Sequence, residues 1–197
     1  MPNLLRTIYT DLRQKALWCY DSGRPLAVVK VLFSDGTLAM ILYRLMQWSR
    51  RYYLFPLTLL FNRLNAMLCN CIIGRGAEFG PGFVLIHATG VVINGRVRGG
   101  ANVHIEHQVT IGAERRQSPV LGNDIFIGAG AKVIGAVTIG DGARVGANAV
   151  VVHDIPPHCT AVGIPARVVR RRQPGEPSTV LPCTPEAQPA AAEGTAA

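Results

Sequence analysis

At 197 residues, with 49% hydrophobic and only 16% charged side chains, the chain is long enough for one well-buried domain with appendages and too apolar for a disordered or nucleic-acid-coating protein. The net charge of +8 is uneven: nine Lys/Arg face three Asp/Glu in residues 1–72, eleven face six in 73–172, and none face three beyond. The densest basic run, Val168-Val169-Arg170-Arg171-Arg172, has no aromatic residues interleaved for base stacking, which argues against nucleic acid.

Residues 3–20 place Leu4, Leu5, Ile8, Leu12, Ala16 and Leu17 at three- and four-residue intervals, the spacing of an amphipathic helix. Asp21-Ser22-Gly23-Arg24-Pro25 reads as the turn that ends it. Ser34-Asp35-Gly36 then reads as a helix start before residues 37–55, and a third helical stretch follows Pro56 over residues 57–69. The apolar window 52–61 is bounded by Arg50, Arg51 and Arg63. It is too short for a membrane span, which needs ~20 apolar residues. Residues 50–63 suit a peripheral contact instead, with the arginines at lipid headgroups on the inner membrane face. Residues 1–70 are thus expected to form a helical, basic N-terminal region.

The five cysteines, at 19, 69, 71, 159 and 183, make an odd set without C-x-x-C spacing. Reduced thiols in a cytoplasmic protein are the expectation, and no secretory signal develops before Asp11.

From Ile73 the pattern changes. Apolar residues recur every six positions at Ile73, Phe79, Leu85, Val91, Val97, Val103 and Val109; Arg115 breaks the series, and Leu121, Ile127, Val133, Ile139, Val145 and Val151 resume it. Such a period is neither helical nor the alternation of an ordinary strand, and it fits a β-helix. Units such as IGRGAE, IGAGAK, IGDGAR and VGANAV show why: an aliphatic side chain fills a narrow core, and the glycine and alanine that follow suit a tight, crowded corner. Around Arg115 the polar segment 110–120 cannot enter the core, so it is expected to bulge as a loop. Pro156-Pro157 marks the end of the coil, and the Pro/Ala-rich residues 173–197 are expected to be disordered.

These units resemble the hexapeptide-repeat family, whose hexads stack three per coil into a left-handed parallel β-helix. The resemblance implies a mainly β domain over residues 71–172 with between four and five coils. Its handedness comes from the resemblance, since parallel crossovers are ordinarily right-handed.

Within the repeats, LIHATGVVING (residues 85–95), HQVTIG (107–112) and GIPARVV (163–169) resemble the serine acetyltransferase-like branch of these acyltransferases, over residues 38–172. That branch binds acetyl-CoA between neighbouring prisms of a homotrimer and moves the acetyl group to an acceptor hydroxyl. The histidine of its HATG element is the general base, and the matching residue is His87. Imidazole titrates near neutrality, so it can take a hydroxyl proton as oxygen attacks the thioester. Glu106 and His107 lie 19 and 20 residues on, about one coil, so either can neighbour His87; Glu106 is a candidate to orient its imidazole. The resemblance places acetyl-CoA against the small residues Gly112, Ala129 and Ala147, with Arg167 and Arg170 meeting its phosphates. No metal is expected: His104 and His107, three apart on a six-residue side, need not share a face.

Three departures bear on the acceptor. Serine acetyltransferases carry an aspartate immediately before the catalytic histidine and another fifteen residues earlier; here those positions are Ile86 and Ile72. They also carry an Arg-His pair in the loop where this chain has Arg115 and Arg116 but no histidine. An amino-acid ammonium needs a carboxylate, and losing each charge-assisted bond costs about 1.5 to 3 kcal/mol. The sequence therefore points first to a sugar hydroxyl in cell-surface polysaccharide synthesis. Serine, with carboxylates supplied from elsewhere, is the alternative, and a non-catalytic trimeric scaffold is the second.

Overall fold

A computed structural model describes residues 3–171. Four helices come first: α1 Leu4–Tyr20, α2 Pro25–Val31, α3 Thr37–Arg51 and α4 Phe55–Cys69. Asn3 caps α1 by accepting from the Leu5 amide at 3.1 Å, and Asp21 ends it in the left-handed region at φ 48°. Helix α2 was not expected. Its β-branched run after Arg24-Pro25 has no helical stripe of its own, yet Pro25 starts a helix and Ala27, Val28 and Val31 pack on Leu12 and Ala16 of α1.

The remaining strands wind as coils: β1 Ile72–Ile73, β2 Glu78–Phe79 and β3 Val84–Leu85; β4 Val92–Ile93, β5 Arg98–Gly99 and β6 His104–Ile105; β7 Thr110–Gly112, β8 Val120–Leu121 and β9 Phe126–Ile127; β10 Lys132–Ile134, β11 Thr138–Ile139 and β12 Arg144–Val145. After β13 Val150–Val151 the chain closes with β14 Cys159–Val162 and an antiparallel return, β15 Arg167–Arg171. Three parallel sheets result, in the orders β1-β4-β7-β10-β13, β2-β5-β8-β11 and β3-β6-β9-β12-β14, with β15 on the last. We call them faces A, B and C of a left-handed β-helical prism of about four coils. The expected disordered tail, residues 173–197, lies outside the described residues.

The repeat is real, but its phase differs from the expected one. Val91, Val97, Val103 and Val109 are all buried, yet they sit at corners, two residues before the strand positions Ile93, Gly99, Ile105 and Ile111 that are in register with Ile73, Phe79 and Leu85. Two extra residues between Leu85 and Ile93 shift the phase. Four more between Ile111 and Leu121 restore it, because the two insertions together make one hexad. Gly99 is required at its post: a Cβ there would run into the Phe79 ring. The second insertion is the expected loop, a tight turn in which Glu114 and Gln117 exchange backbone hydrogen bonds at 2.9 and 2.8 Å while Arg115 and Arg116 stand exposed.

A solenoid's open end must be covered. Tyr43 of α3 packs on Phe79 and Phe83 of the first coil, with ring centroids 6.1 and 5.0 Å away, and its hydroxyl donates to the Ala77 carbonyl at 3.2 Å. Beside it, Arg44 Nε meets Asp11 Oδ2 of α1 at 2.6 Å, with both side chains almost wholly buried. The guanidinium also donates to the carbonyls of Phe79 and Gly80 at 2.8 and 2.6 Å, and Asp11 Oδ1 accepts from the amides of Gly82 and Phe83 at 2.8 and 3.1 Å. Burial pushes the Asp11 carboxyl up, and Arg44 and the two amides oppose that push. Helix α4 is turned the other way: Thr58 and Asn65 are buried against α3, and Leu59, Leu60, Met67 and Leu68 face outward. Among the described residues no helix is long and apolar enough to cross a membrane.

On face C, Trp18 at the end of α1 lies stacked on Phe126 and edge-on to His104, with centroids 5.2 and 5.1 Å apart. Burial pushes the His104 imidazole down to about 4. Because the unfolded chain takes up that proton first, near the ordinary value of 6.5, stability falls as the pH drops from 6.5 to 4. The loss from this group amounts to roughly 3 kcal/mol at full protonation. Urea midpoints measured across that window will fall, and His104→Phe will flatten the slope. Arg44→Met, which strands the buried Asp11 carboxylate, will cost about 3–5 kcal/mol by the same measurement at pH 7.

Candidate active site

The first insertion makes the site. Between Leu85 and Ile93 the corner is two residues longer than a hexad allows, and it bulges: His87 is exposed while Ile86 and Ala88 on either side are buried. His87 Nδ1 lies 3.0 Å from Asp35 Oδ2, and both side chains are about half exposed. An ionised carboxylate only accepts, so Nδ1 carries the ring proton and Nε2 keeps its lone pair.

Asp35 sits in the turn between α2 and α3, 52 residues away in sequence, and the backbone holds it there. Its Oδ1 accepts from the Gly36 amide at 2.8 Å. Gly36 has φ 77° and rests against β3 so closely that a Cβ would collide with the Leu85 carbonyl. Lys15 of α1, with none of its surface exposed, donates to that carbonyl at 2.9 Å and also to the Asp35 carbonyl. Burial pushes the Lys15 ammonium down to about 8, against the pull of Cys19 and Asp35. On the other side of the turn, the Thr37 hydroxyl donates to the Val31 carbonyl at 2.6 Å and Ser34 to the same carbonyl at 2.8 Å.

Strand register shows which of the other expected residues meet. Leu85, Ile105, Ile127, Val145 and Ala161 are partners across face C. The residues two further on, His107, Ala129, Ala147 and Gly163, therefore line the corner between faces C and A as one column, spaced by about 4.8 Å per coil, and His87, pushed out by the two extra residues of its corner while Thr89 takes the register position, stands beside the first of them. The His87 and His107 rings are 5.8 Å apart and edge to face. Glu106 is in register with Ile86 on the neighbouring coil, and its Oε2 lies 3.6 Å from His107 Nδ1. The carboxylate on His87 is thus Asp35, whereas Glu106 stands against His107.

Below the two histidines the column presents only small side chains. Gly112 lies on the adjoining face A, paired with Ile134, whose methyl would be 3.0 Å from a Cβ at that position. Arg167 pairs with Val162 at the far end of the column and is exposed; Arg170 lies three residues along β15, opposite Thr160. A narrow wall of Ala129, Ala147, Gly163 and Gly112 between an imidazole and a cation has the shape for a long, slender thioester with phosphates at its distal end. Among the described residues no group of three or more His, Cys, Asp or Glu is arranged to hold a metal ion.

Neither Asp35 nor Lys15 was singled out by the sequence. For Lys15 a signal existed: Asp11 and Lys15 follow Ile8 by three and seven residues, so helical spacing puts both charges on the apolar face of α1. Asp35 had no such signal, because Ser-Asp-Gly before a helix is an ordinary start.

Residues 118–153 match the family described as bacterial transferase hexapeptide (six repeats). The chain is 38% identical over 172 residues to a serine acetyltransferase of Synechococcus elongatus, covering 85% of this chain and 70% of that protein. The fold superposes on soybean serine acetyltransferase complexed with serine at a TM-score of 0.75 and 36% identity, over 86% of this chain and 70% of that one. A serine acetyltransferase in complex with CoA matches at a TM-score of 0.76 and 29% identity, over 85% and 70% of the two chains. With relatives of this identity over most of its length, the chain belongs to the serine acetyltransferase-like branch of the hexapeptide-repeat acyltransferases and is an acetyl-CoA-dependent acyltransferase.

Proposed function

We propose that the acceptor is the hydroxyl of serine and that the active unit is a homotrimer. The sugar hydroxyl expected from the sequence rested on missing carboxylates, and the observation that removes its basis is the pair Asp35 and Glu106 beside His87 and His107. Serine is also the substrate named for the relatives.

His87 Nε2 takes the proton from the serine hydroxyl as that oxygen attacks the thioester carbonyl, and it returns the proton to the leaving thiolate. Acetyl-CoA supplies the acyl group, held along Gly112, Ala129 and Ala147 with its phosphates toward Arg167 and Arg170. Glu106, one coil from the position where serine acetyltransferases carry an aspartate, offers the carboxylate that the ammonium needs.

The serine carboxylate needs a cation, and the exposed candidates Arg115 and Arg116 stand in the loop that joins β7 on face A to β8 on face B. His87 is on the corner between faces C and A. One chain cannot close both around a single small molecule, so the loop serves the His87 corner of a neighbouring prism. The apolar residues Ile72, Val92 and Val152, exposed on face A, suit the contact between copies.

Four measurements test the reading. Release of free CoA will be brisk with L-serine and slow with nucleotide- or lipid-linked sugars; the reverse order sinks the serine proposal. His87→Ala will lower kcat by about 10²- to 10⁴-fold with L-serine. Arg115→Ala with Arg116→Ala will raise the serine KM by about 10- to 100-fold, the loss of one charge-assisted contact, and leave the acetyl-CoA KM in place. Light scattering will give the mass of three chains, and a monomer that turns over serine at full rate would exclude the shared site.

A further inference from the structure

We infer that Asp35 is the positioning residue for the His87 base, and that buried Lys15 is the strut that seats it. The inference rests on His87 as the base of acetyl transfer and goes beyond it by assigning two residues from the helical region to the chemistry of the prism.

The geometry is built from both sides. On the helical side, the Asp35 carboxylate is fixed to its own turn by the Gly36 amide at 2.8 Å, so only Oδ2 is left to reach outward, and it reaches His87 Nδ1 at 3.0 Å. On the prism side, His87 leaves the wall two residues after Leu85, and the Leu85 carbonyl is where Lys15 Nζ and the Gly36 backbone both come to rest. Lys15 thereby ties the backbone of the residue that holds the base to the strand that carries the base. An exposed carboxylate on a flexible turn would hold an imidazole only part of the time. Here the turn is pinned by a glycine that no other residue can replace without collision, and by an ammonium with no solvent to compete for it.

Other charged and titratable groups around the pair are His107, edge-on to the ring at 5.8 Å, Glu106 beyond it, and Lys15 and Cys69 on the Asp35 side. Among the described residues Asp35 is the side chain shown hydrogen-bonded to Nδ1. With Nδ1–H donated to Asp35, Nε2 is the atom left to take the serine proton; without that acceptor the ring is free to hold its proton on Nε2, the wrong nitrogen for a base.

The test uses the full chain with L-serine and acetyl-CoA. Asp35→Ala is expected to lower kcat by about 10- to 100-fold, with the KM of acetyl-CoA within about twofold of the parent, and Asp35→Glu is expected to recover part of the loss. Nitrogen-15 spectra of the histidine ring are expected to show the Nδ1–H tautomer at His87 in the parent and its loss in Asp35→Ala. Lys15→Met is expected to lower kcat less, and to add little when combined with Asp35→Ala, since both act through one contact. An Asp35→Ala variant with parental kcat, or one that still shows the Nδ1–H tautomer, overturns the inference while an inactive His87→Ala leaves the base in place. If His87→Ala itself keeps full activity, the base assignment falls and this inference with it. Asp35→Ala losing activity only in proportion to a lowered unfolding midpoint also overturns it, since that is the mark of a structural role.

Discussion

The buried pairing of Arg44 with Asp11 is the contact on which the arrangement of the molecule depends. Replacing such a pair with well-packed apolar residues often leaves stability unchanged or improves it, so its contribution here is one of direction. Each partner reaches past the other to the first coil: the guanidinium to the carbonyls of Phe79 and Gly80, the carboxylate to the amides of Gly82 and Phe83. An apolar patch between helices and coil would tolerate sliding. Four hydrogen bonds from two side chains to the backbone of the turn from Phe79 to Phe83 do not, and they set where α1 and α3 lie along the prism. Asp35 opens α3 and Lys15 follows Asp11 by one turn of α1, so the same contact that orients the helices delivers both residues to the His87 corner.

On the proposed function, the chemistry of this fold is located where the repeat is broken. A regular hexad turns the chain at a corner with nothing to spare, and its small residues leave the wall smooth, as at Ala129 and Ala147. Two added residues after Leu85 lift one histidine clear of the wall without disturbing the buried Ile86 and Ala88 that flank it. Four added residues after Ile111 extrude two arginines at another corner. The uninterrupted hexads provide rigidity and the length over which a slender co-substrate can lie, and the two interruptions provide the reactive and charged groups.

Much of this was legible in the sequence because each side of a narrow prism demands apolar residues at fixed positions, and that demand recurs every six residues. What was not legible has physical causes. The two insertions sum to one period, so Val91 through Val109 continued the series while serving as corner residues, and the longer corner at His87 was hidden. Helix α2 carries no stripe of its own and owes its form to packing on α1. Asp35 was hidden by a local reading that was sufficient in itself: an aspartate before a glycine at the head of a helix is expected to serve that helix, and the 52-residue separation from His87 leaves no spacing to detect. The column of His107, Ala129 and Ala147 beside His87 could be suspected from coil length, but its exact alignment depends on unequal coils of 20, 22 and 18 residues that only the strand register reveals.

The empty carboxylate positions at Ile72 and Ile86 acquire a meaning once Asp35 is placed. Ile72 faces outward on face A beside Val92, and Ile86 is buried at the root of the His87 corner. With the orienting carboxylate supplied from the helical side, Ile72 is free to join an apolar surface and Ile86 to pack beneath the bulge, where an aspartate would need a partner of its own. The exchange has a cost in protection. A carboxylate within the prism wall could be shielded by the next coil, whereas the Asp35–His87 pair is half open to water, where a single hydrogen bond is weak and readily exchanged. Its geometry must therefore come from the backbone on either side of it. The left-handed glycine pressed on the Leu85 carbonyl and the buried ammonium bridging two carbonyls supply that restraint, so the orientation of the His87 imidazole follows from how the helices dock and not from how deeply the pair is buried.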